Sequence, residues 1–328
     1  MYLYNMKMIS ISIFILLNSF SMLFLNSMFN MWIMMEFNSM MIFIMMFYFD
    51  SNKMKIILYM LIQVFSSSVL MFSFYLMNSP HYFSSLGELM MLSSLSLKLA
   101  MFPFHSWYPY INKGLSWPMI FFMTTFQKLG PMILFSYTHS MILLNITLNL
   151  TAVISTINMM YSNSMKAMMS YSSLIHTSWM IMIMILSNSS FFIYFIIYSL
   201  LTFTIFLMFH KLNLMFINQK FMISNLMNFS IFLLLLSYSS LPPFTGFILK
   251  WIVVKESNNI FYSLTFMLML ASCSAMFMYT KSTMQSIMSS NFKTWISYEF
   301  SILQSYLIFI MICFPMLGLT FMSYNFYE

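Results

Sequence analysis

Four ionisable side chains look stranded at membrane depth once the loops and helix ends are accounted for: Glu36, Lys98, Lys128 and Lys250. One carboxylate and three amines placed in this way suit proton chemistry. Burial disfavours a charged amine, and a nearby carboxylate favours it again. Moving Glu36 relative to Lys98 would therefore switch that amine between holding and shedding a proton, as a gated relay requires. At most one lysine can pair directly with Glu36. The other two must relax by losing the proton or by hydration.

A fifth candidate is His176, in Ser172-Ser173-Leu174-Ile175-His176. Its ordinary pKa of about 6.5 makes histidine a natural intermediate in proton transfer. Ser170, Ser172, Ser173 and Thr177 offer hydroxyls that could hold water beside it. A lone histidine on an apolar helix is more often a satisfied structural residue, so both readings stay open at this stage. His105 falls at a helix end after Pro103, and His81, His139 and His210 fall at loops.

These charges are costly. On insertion scales each one at the bilayer centre costs about 2.5–3.5 kcal/mol, on the order of 10 kcal/mol together. Leucine would serve helix packing better. The alternative is that each lysine stretches its stem to an interface. Glu36, six residues into its helix, could sit nearer an interface too, and Glu88 reads as interfacial.

The elements that must position these groups follow from composition. The chain has 328 residues, 61% hydrophobic and 6% charged, with a mean hydropathy of +0.86. Soluble domains carry roughly 25% charged residues. Lipid is the simplest solvent for so apolar a chain. At about 20 residues per span plus short loops there is room for about eleven helices.

Apolar runs place them at about 8–27, 30–49, 55–77, 86–102, 117–138, 143–161, 166–187, 190–210, 225–255 (interrupted), 259–281 and 302–322. The expected fold is all-α and polytopic, a single membrane domain over 1–328 with no separate soluble domain. No cleavable signal is evident before the first helix.

Loop charge tests this count. Lys7, Lys53, Lys55, Lys113, Lys166, Lys211, Lys220, Lys281 and Lys293 all fall on one side, and Lys255 alone on the other. That asymmetry is what the positive-inside rule predicts. It puts the N-terminus on the inner side and the C-terminus on the outer. The net charge of +7, which would suggest nucleic acid in a soluble protein, here reads as a topology signal.

Helices 4 and 9 are broken by proline, at Pro103 and at Pro242-Pro243. Proline removes a backbone donor and frees carbonyls of the preceding turn. In lipid those groups need partners from protein or water. Two broken helices in matching places suggest inverted repeats. Repeats over 8–138 and 143–281, plus a C-terminal helix at 302–322, would each hold the broken element fourth.

Other chemistry lacks its residues. There is no glycine-rich phosphate loop and no HExxH. Cys273 and Cys313 lie in apolar runs and read as small buried hydrophobes rather than a disulfide or metal site. No cofactor or metal site is expected. All 13 basic residues are Lys and 44 residues are Met. Together with scarce Gly and Pro this is the residue set of AT-rich codons, and it points to a mitochondrial gene.

Five segments then resemble a known family. Trp32-Ile-Met-Met-Glu36-Phe-Asn38 is similar to the glutamate-bearing helix of the antiporter-like subunits of respiratory complex I. Lys98-Leu-Ala-Met-Phe-Pro103-Phe104-His105-Ser-Trp107-Tyr-Pro109 resembles their Pro-Phe-His-x-Trp-x-Pro segment. Three more segments resemble the shorter members of that family: Thr125-Phe-Gln127-Lys128-Leu-Gly-Pro131, Ser172-Ser173-Leu-Ile-His176-Thr-Ser-Trp179, and Pro242-Pro243-Phe244-Thr245-Gly246-Phe-Ile-Leu-Lys250-Trp251. Phe126 stands where Trp is usual and Ser178 replaces a Gly, and neither titrates.

The resemblance implies that Glu36 and Lys98 are the family's Glu–Lys pair, Lys128 the central lysine and Lys250 the terminal one. It implies eleven helices, as in the animal members, and a place in the mitochondrial inner membrane with the N-terminus toward the matrix. It implies neighbours among the other membrane subunits, especially chain 4 and chain 4L, and lipids such as cardiolipin. NADH, FMN, iron–sulfur clusters and ubiquinone would be bound by other subunits. The competing readings are a stand-alone cation/proton antiporter of the same fold and a scaffold that conducts nothing.

Overall fold

A computed structural model describes residues 2–50, 52–78, 81–138, 140–217, 225–257 and 262–289. The expected helix at 302–322, with Lys220, Lys293 and Cys313, lies outside the described residues. The chain divides into two compact units, one up to Ile154 and one from Ser155 on.

In the first unit the helices are α1 (Tyr2–Ser21), α2 (Met28–Phe49), α3 (Lys53–Met77), α4 (His81–Leu99), α5 (Trp107–Asn112), α6 (Trp117–Thr124) and α7 (Phe126–Phe135). Helix α8 (Met141–Met160) carries the chain across the boundary at Ile154. The second unit holds α9 (Met165–Leu186), α10 (Asn188–Lys211), α11 (Asn225–Ser239), α12 (Thr245–Glu256) and α13 (Tyr262–Ser289). Among the described residues no strand forms, and Ser164 and Phe216 make an isolated bridge.

Among the described residues, seven helices are long and apolar enough to cross a membrane. The expected spans at 86–102, 117–138 and 225–255 are the ones the structure interrupts or shortens. Burial runs opposite to that of a water-soluble protein. On α3, Gln63, Ser66, Ser67 and Ser73 are buried while Leu61 and Phe65 are 66% and 62% exposed. Such a surface is stable against hydrocarbon, where polar groups must find partners inside.

Each unit has a buried central helix. In the first, α7 packs on α1, α2, α4 and α6, and all its residues except Gln127 are buried. In the second, α9 packs on α10, α12 and α13, and from Met165 to Met184 all but Tyr171 is buried.

Three helices end in the same way. Ala100, Asn213 and Ser240 adopt left-handed backbone, with φ of 56°, 49° and 67°. Ala100 N–H donates to Leu97 O at 3.2 Å and Met101 N–H to Ser96 O at 2.8 Å. The matching bonds after α11 run from Ser240 N–H to Ser237 O and from Leu241 N–H to Leu236 O. This crossed pair of bonds satisfies carbonyls that a helix end otherwise strands. The prolines lie two residues or more beyond, where a helix could not continue.

The sequence reading made 117–138 a single helix, and the structure breaks it at Thr125, which takes φ −112° and ψ −85°. No proline sits at that point. Instead the hydroxyls of Thr124 and Thr125 and the Thr125 N–H all donate to Phe121 O. Side chains competing for a helix carbonyl in this way bend the ladder. Downstream, Pro131 lies inside α7 and has no N–H to return to the carbonyl of Gln127.

Candidate functional site

The first unit holds a polar centre built on Glu36 and Lys98. Glu36 lies in the third turn of α2, and Lys98 lies in the last turn of α4. The Lys98 Nζ donates to Glu36 Oε1 at 2.7 Å, with the two side chains 3% and 19% exposed. A cation in the last turn also meets the negative end of its own helix. Helix α4 stops one residue later at the Ala100 turn, which fixes where Lys98 ends up.

Side chains from α2 and α3 hold the first turn of α7. Asn38 Nδ2 donates to Phe126 O at 3.3 Å. Gln127 Nε2 donates to Tyr59 OH at 2.8 Å. Tyr59 in turn faces Ser39 O, and Ser39 Oγ donates to Glu36 O. The residues around Glu36 are thus tied to those beside Lys128. Lys128 itself is 2% exposed, with Nζ 4.6 Å from the centroid of the Tyr108 ring.

The second unit holds another centre. His176 on α9 is 6% exposed and Lys250 on α12 is also 6% exposed. His176 Nδ1 lies 3.0 Å from Tyr194 OH. The rings of Tyr198 and Tyr238 lie 5.0 Å and 4.7 Å from the imidazole, and Tyr279 meets Tyr238 edge-on at 5.7 Å. Lys250 Nζ donates to Ser239 O at 3.3 Å, on the last residue of α11. A small cavity is lined by Ser172, His176, Tyr238, Lys250, Ser272 and Tyr279, among others, so Lys250 and His176 open on the same space.

Local packing builds this second centre. The chain turns back after Ser240 so that Gly246, early in α12, lies against α11. A Cβ at Gly246 would fall 1.8 Å from Ser237 O. Only glycine admits that approach, and it carries Lys250 back to the end of α11.

The three candidate lysines are therefore enclosed by protein, and none extends to open surface. The structure joins Glu36 with Lys98 directly and brings Lys250 and His176 to one cavity. Lys128 meets the Tyr108 ring.

Two expectations change. Cys273, read as a small buried hydrophobe, is exposed on α13. Lys166, read as a loop residue, is 7% exposed at the start of α9. The segment before it pairs with residues 215–217, through Met165 N–H to Met215 O and Ile217 N–H to Asn163 O, and that pairing covers it. The hydroxyls around His176 donate to their own helix. Ser170, Ser172, Ser173 and Thr177 each bond the carbonyl three residues back, which leaves only their lone pairs facing outward.

Sequence reasoning passed over the tyrosines at positions 59, 108, 194, 198, 238 and 279. A tyrosine in a span reads equally as an interfacial anchor or as core. One signal was present: Tyr194 and Tyr198 are four apart and so share a helix face.

The chain is similar to known proteins. Residues 25–277 match the family described as NADH:quinone oxidoreductase/Mrp antiporter, transmembrane. NADH-ubiquinone oxidoreductase chain 2 of Anopheles gambiae is 34% identical over 76% of this chain and 78% of its own length. A chain of the membrane-bound sulfane sulfur reductase, an archaeal respiratory membrane complex, superposes with a TM-score of 0.77 at 14% identity, over 94% of this chain and 72% of that one. A chain of respiratory complex I from Thermus thermophilus with bound Aureothin gives 0.71 at 15% identity, over 88% and 72%.

Proposed function

The chain belongs to the NADH:quinone oxidoreductase/Mrp antiporter transmembrane family, and from that premise we propose that it is a core membrane subunit of the proton-translocating NADH:ubiquinone oxidoreductase. It relays protons through Glu36, Lys98, Lys128, His176, Lys250 and water. The observation that carries this reading is the ion pair of Lys98 with Glu36, enclosed in a chain with only 6% charged residues. A charge pair in such surroundings contributes less to packing than leucine would. A group that must change its proton occupancy accounts for its presence.

The chain makes and breaks no bond except to protons. Moving one charge against 100 mV takes about 2.3 kcal/mol, so the energy comes from redox chemistry in partner subunits. Those partners hold NADH, FMN, the iron–sulfur clusters and ubiquinone. Chain 4 and chain 4L are the neighbours, and cardiolipin is among the lipids. The chain lies in the mitochondrial inner membrane, with its N-terminus in the matrix and its C-terminus in the intermembrane space. Inverted repeats over 8–138 and 143–281 complete the architecture. The kinship with the Anopheles gambiae chain supports this assignment, and the lysines of the inner loops support the orientation.

The family also includes Mrp antiporters, so a stand-alone cation/proton antiporter is the second reading. Native electrophoresis separates the two. A complex I subunit migrates with a large assembly that oxidises NADH. A stand-alone antiporter extracts as a small particle and exchanges cations for protons in liposomes by itself. Within the large assembly, Lys128→Met lowers proton pumping per NADH. Normal assembly with unchanged pumping would remove Lys128 from the relay.

A further inference from the structure

Tyr108 lies in α5, which begins at Trp107, nine residues after Lys98. It is 2% exposed, and Trp107 packs edge-on against it at 5.6 Å and 88°. The ring face so held meets Lys128 Nζ at 4.6 Å from the centroid. An ammonium within about 6 Å of an aromatic face is attracted by the ring quadrupole, most strongly where water is excluded. Lys128 is 2% exposed, so water does not blunt the attraction.

We propose that Tyr108 is a positioning residue for Lys128, its ring face serving as the neutral counter-group that holds the amine and stabilises its charged form. This rests on Lys128 being part of the proton relay. A carboxylate in that place would hold the charge more firmly than a relay tolerates. A ring attracts the cation by an amount on the order of tenfold in occupancy, which a passing proton can overcome. The interrupted segment from Lys98 to Tyr108 then serves two lysines. Its first residue pairs with Glu36, and its last faces Lys128.

The test uses the assembled NADH-oxidising complex in proteoliposomes and reads protons moved per NADH oxidised. Tyr108→Leu, which removes the ring, lowers that ratio at least threefold. Tyr108→Phe, which keeps the face and loses only the hydroxyl, retains at least half of it. In a Lys128→Met background Tyr108→Leu causes no further loss, because the group it served is gone. If the leucine variant does not accumulate, Tyr108→Met supplies a ringless side chain of similar reach.

A loss in Tyr108→Phe as deep as in Tyr108→Leu overturns the proposal, since the hydroxyl then matters and the face does not. So does a Tyr108→Leu complex that assembles less but pumps with an unchanged ratio, which is what a packing role alone produces. A further fall in the Lys128→Met background overturns it too. Full pumping in Lys128→Met alone is a different failure: it removes the relay role on which the proposal rests.

Discussion

Lys250 Nζ donates to Ser239 O at 3.3 Å, so the amine of α12 closes the C-terminus of α11, from which the chain has just turned away. Within the other unit Lys98 occupies the last turn of α4. Both lysines therefore sit where a helix ends inside the protein. The negative end of a helix favours a cation, and at Lys250 the break brings that end to the amine. Each break is closed by the same crossed pair of backbone bonds.

The Glu36–Lys98 pair yields the first prediction. Glu36→Gln leaves the Lys98 amine enclosed without its carboxylate. Removing one partner of a buried pair costs about 3–5 kcal/mol. The 19% exposure of Glu36 places this case toward the lower end. Glu36→Gln should therefore lower the amount of assembled complex on native gels and also its proton-to-NADH ratio. Combining it with Lys98→Met removes the stranded charge, so assembly should recover while pumping does not. Recovery of both would mean that the pair serves stability alone.

Tyr194 yields the second. Its hydroxyl is 3.0 Å from His176 Nδ1, and that hydrogen bond orients the imidazole. Tyr194→Phe keeps the ring and removes that bond. Leaving a buried polar atom without its partner costs about 1–3 kcal/mol. The expected result is a modest fall in thermal stability with a several-fold loss of pumping per NADH. A loss of stability with pumping intact would return His176 to the structural reading.

What the sequence made legible follows from cost. Glu36, Lys98, Lys128 and Lys250 stood out because a charge is rare in hydrocarbon. The breaks near Pro103 and Pro242 stood out because proline cannot continue a helix. The break at Thr125 gave no such sign, since threonine hydroxyls bond to Phe121 O only once the helix has formed. The burial of Lys166 depends on pairing with residues some fifty positions away, which no local pattern reports. The tyrosine rings around Lys128 and His176 were hidden by their number, for 20 tyrosines are spread along the chain.

Gly246 yields the third prediction. A methyl group there meets Ser237 O at 1.8 Å, a backbone atom that cannot rotate aside. Gly246→Ala must push α12 away from α11 and separate Lys250 Nζ from Ser239 O. Assembled complex should fall sharply, and any that remains should pump poorly. Gly130→Ala is the informative contrast, because its methyl meets the flexible Met35 and Met22 side chains. It should cost far less on the same native gel. Equal losses for the two variants would refute the account of the α11–α12 turn.

Ala100 yields the fourth. It holds a left-handed φ of 56° at the end of α4, a conformation that costs an L-residue with a Cβ roughly 1–2 kcal/mol. Glycine escapes that strain but loses more freedom on folding, which returns about 0.4–1 kcal/mol. Ala100→Gly should therefore be neutral to stabilising by up to about 1 kcal/mol. Ala100→Val adds a β-branched side chain at positive φ and should destabilise, shifting the end of α4 and with it Lys98. Thermal inactivation of NADH-driven pumping should rank the variants Gly at or above Ala, and Ala above Val. If valine matched alanine, the turn that places Lys98 would not depend on the left-handed residue, and the position of the Glu36–Lys98 pair would need another cause.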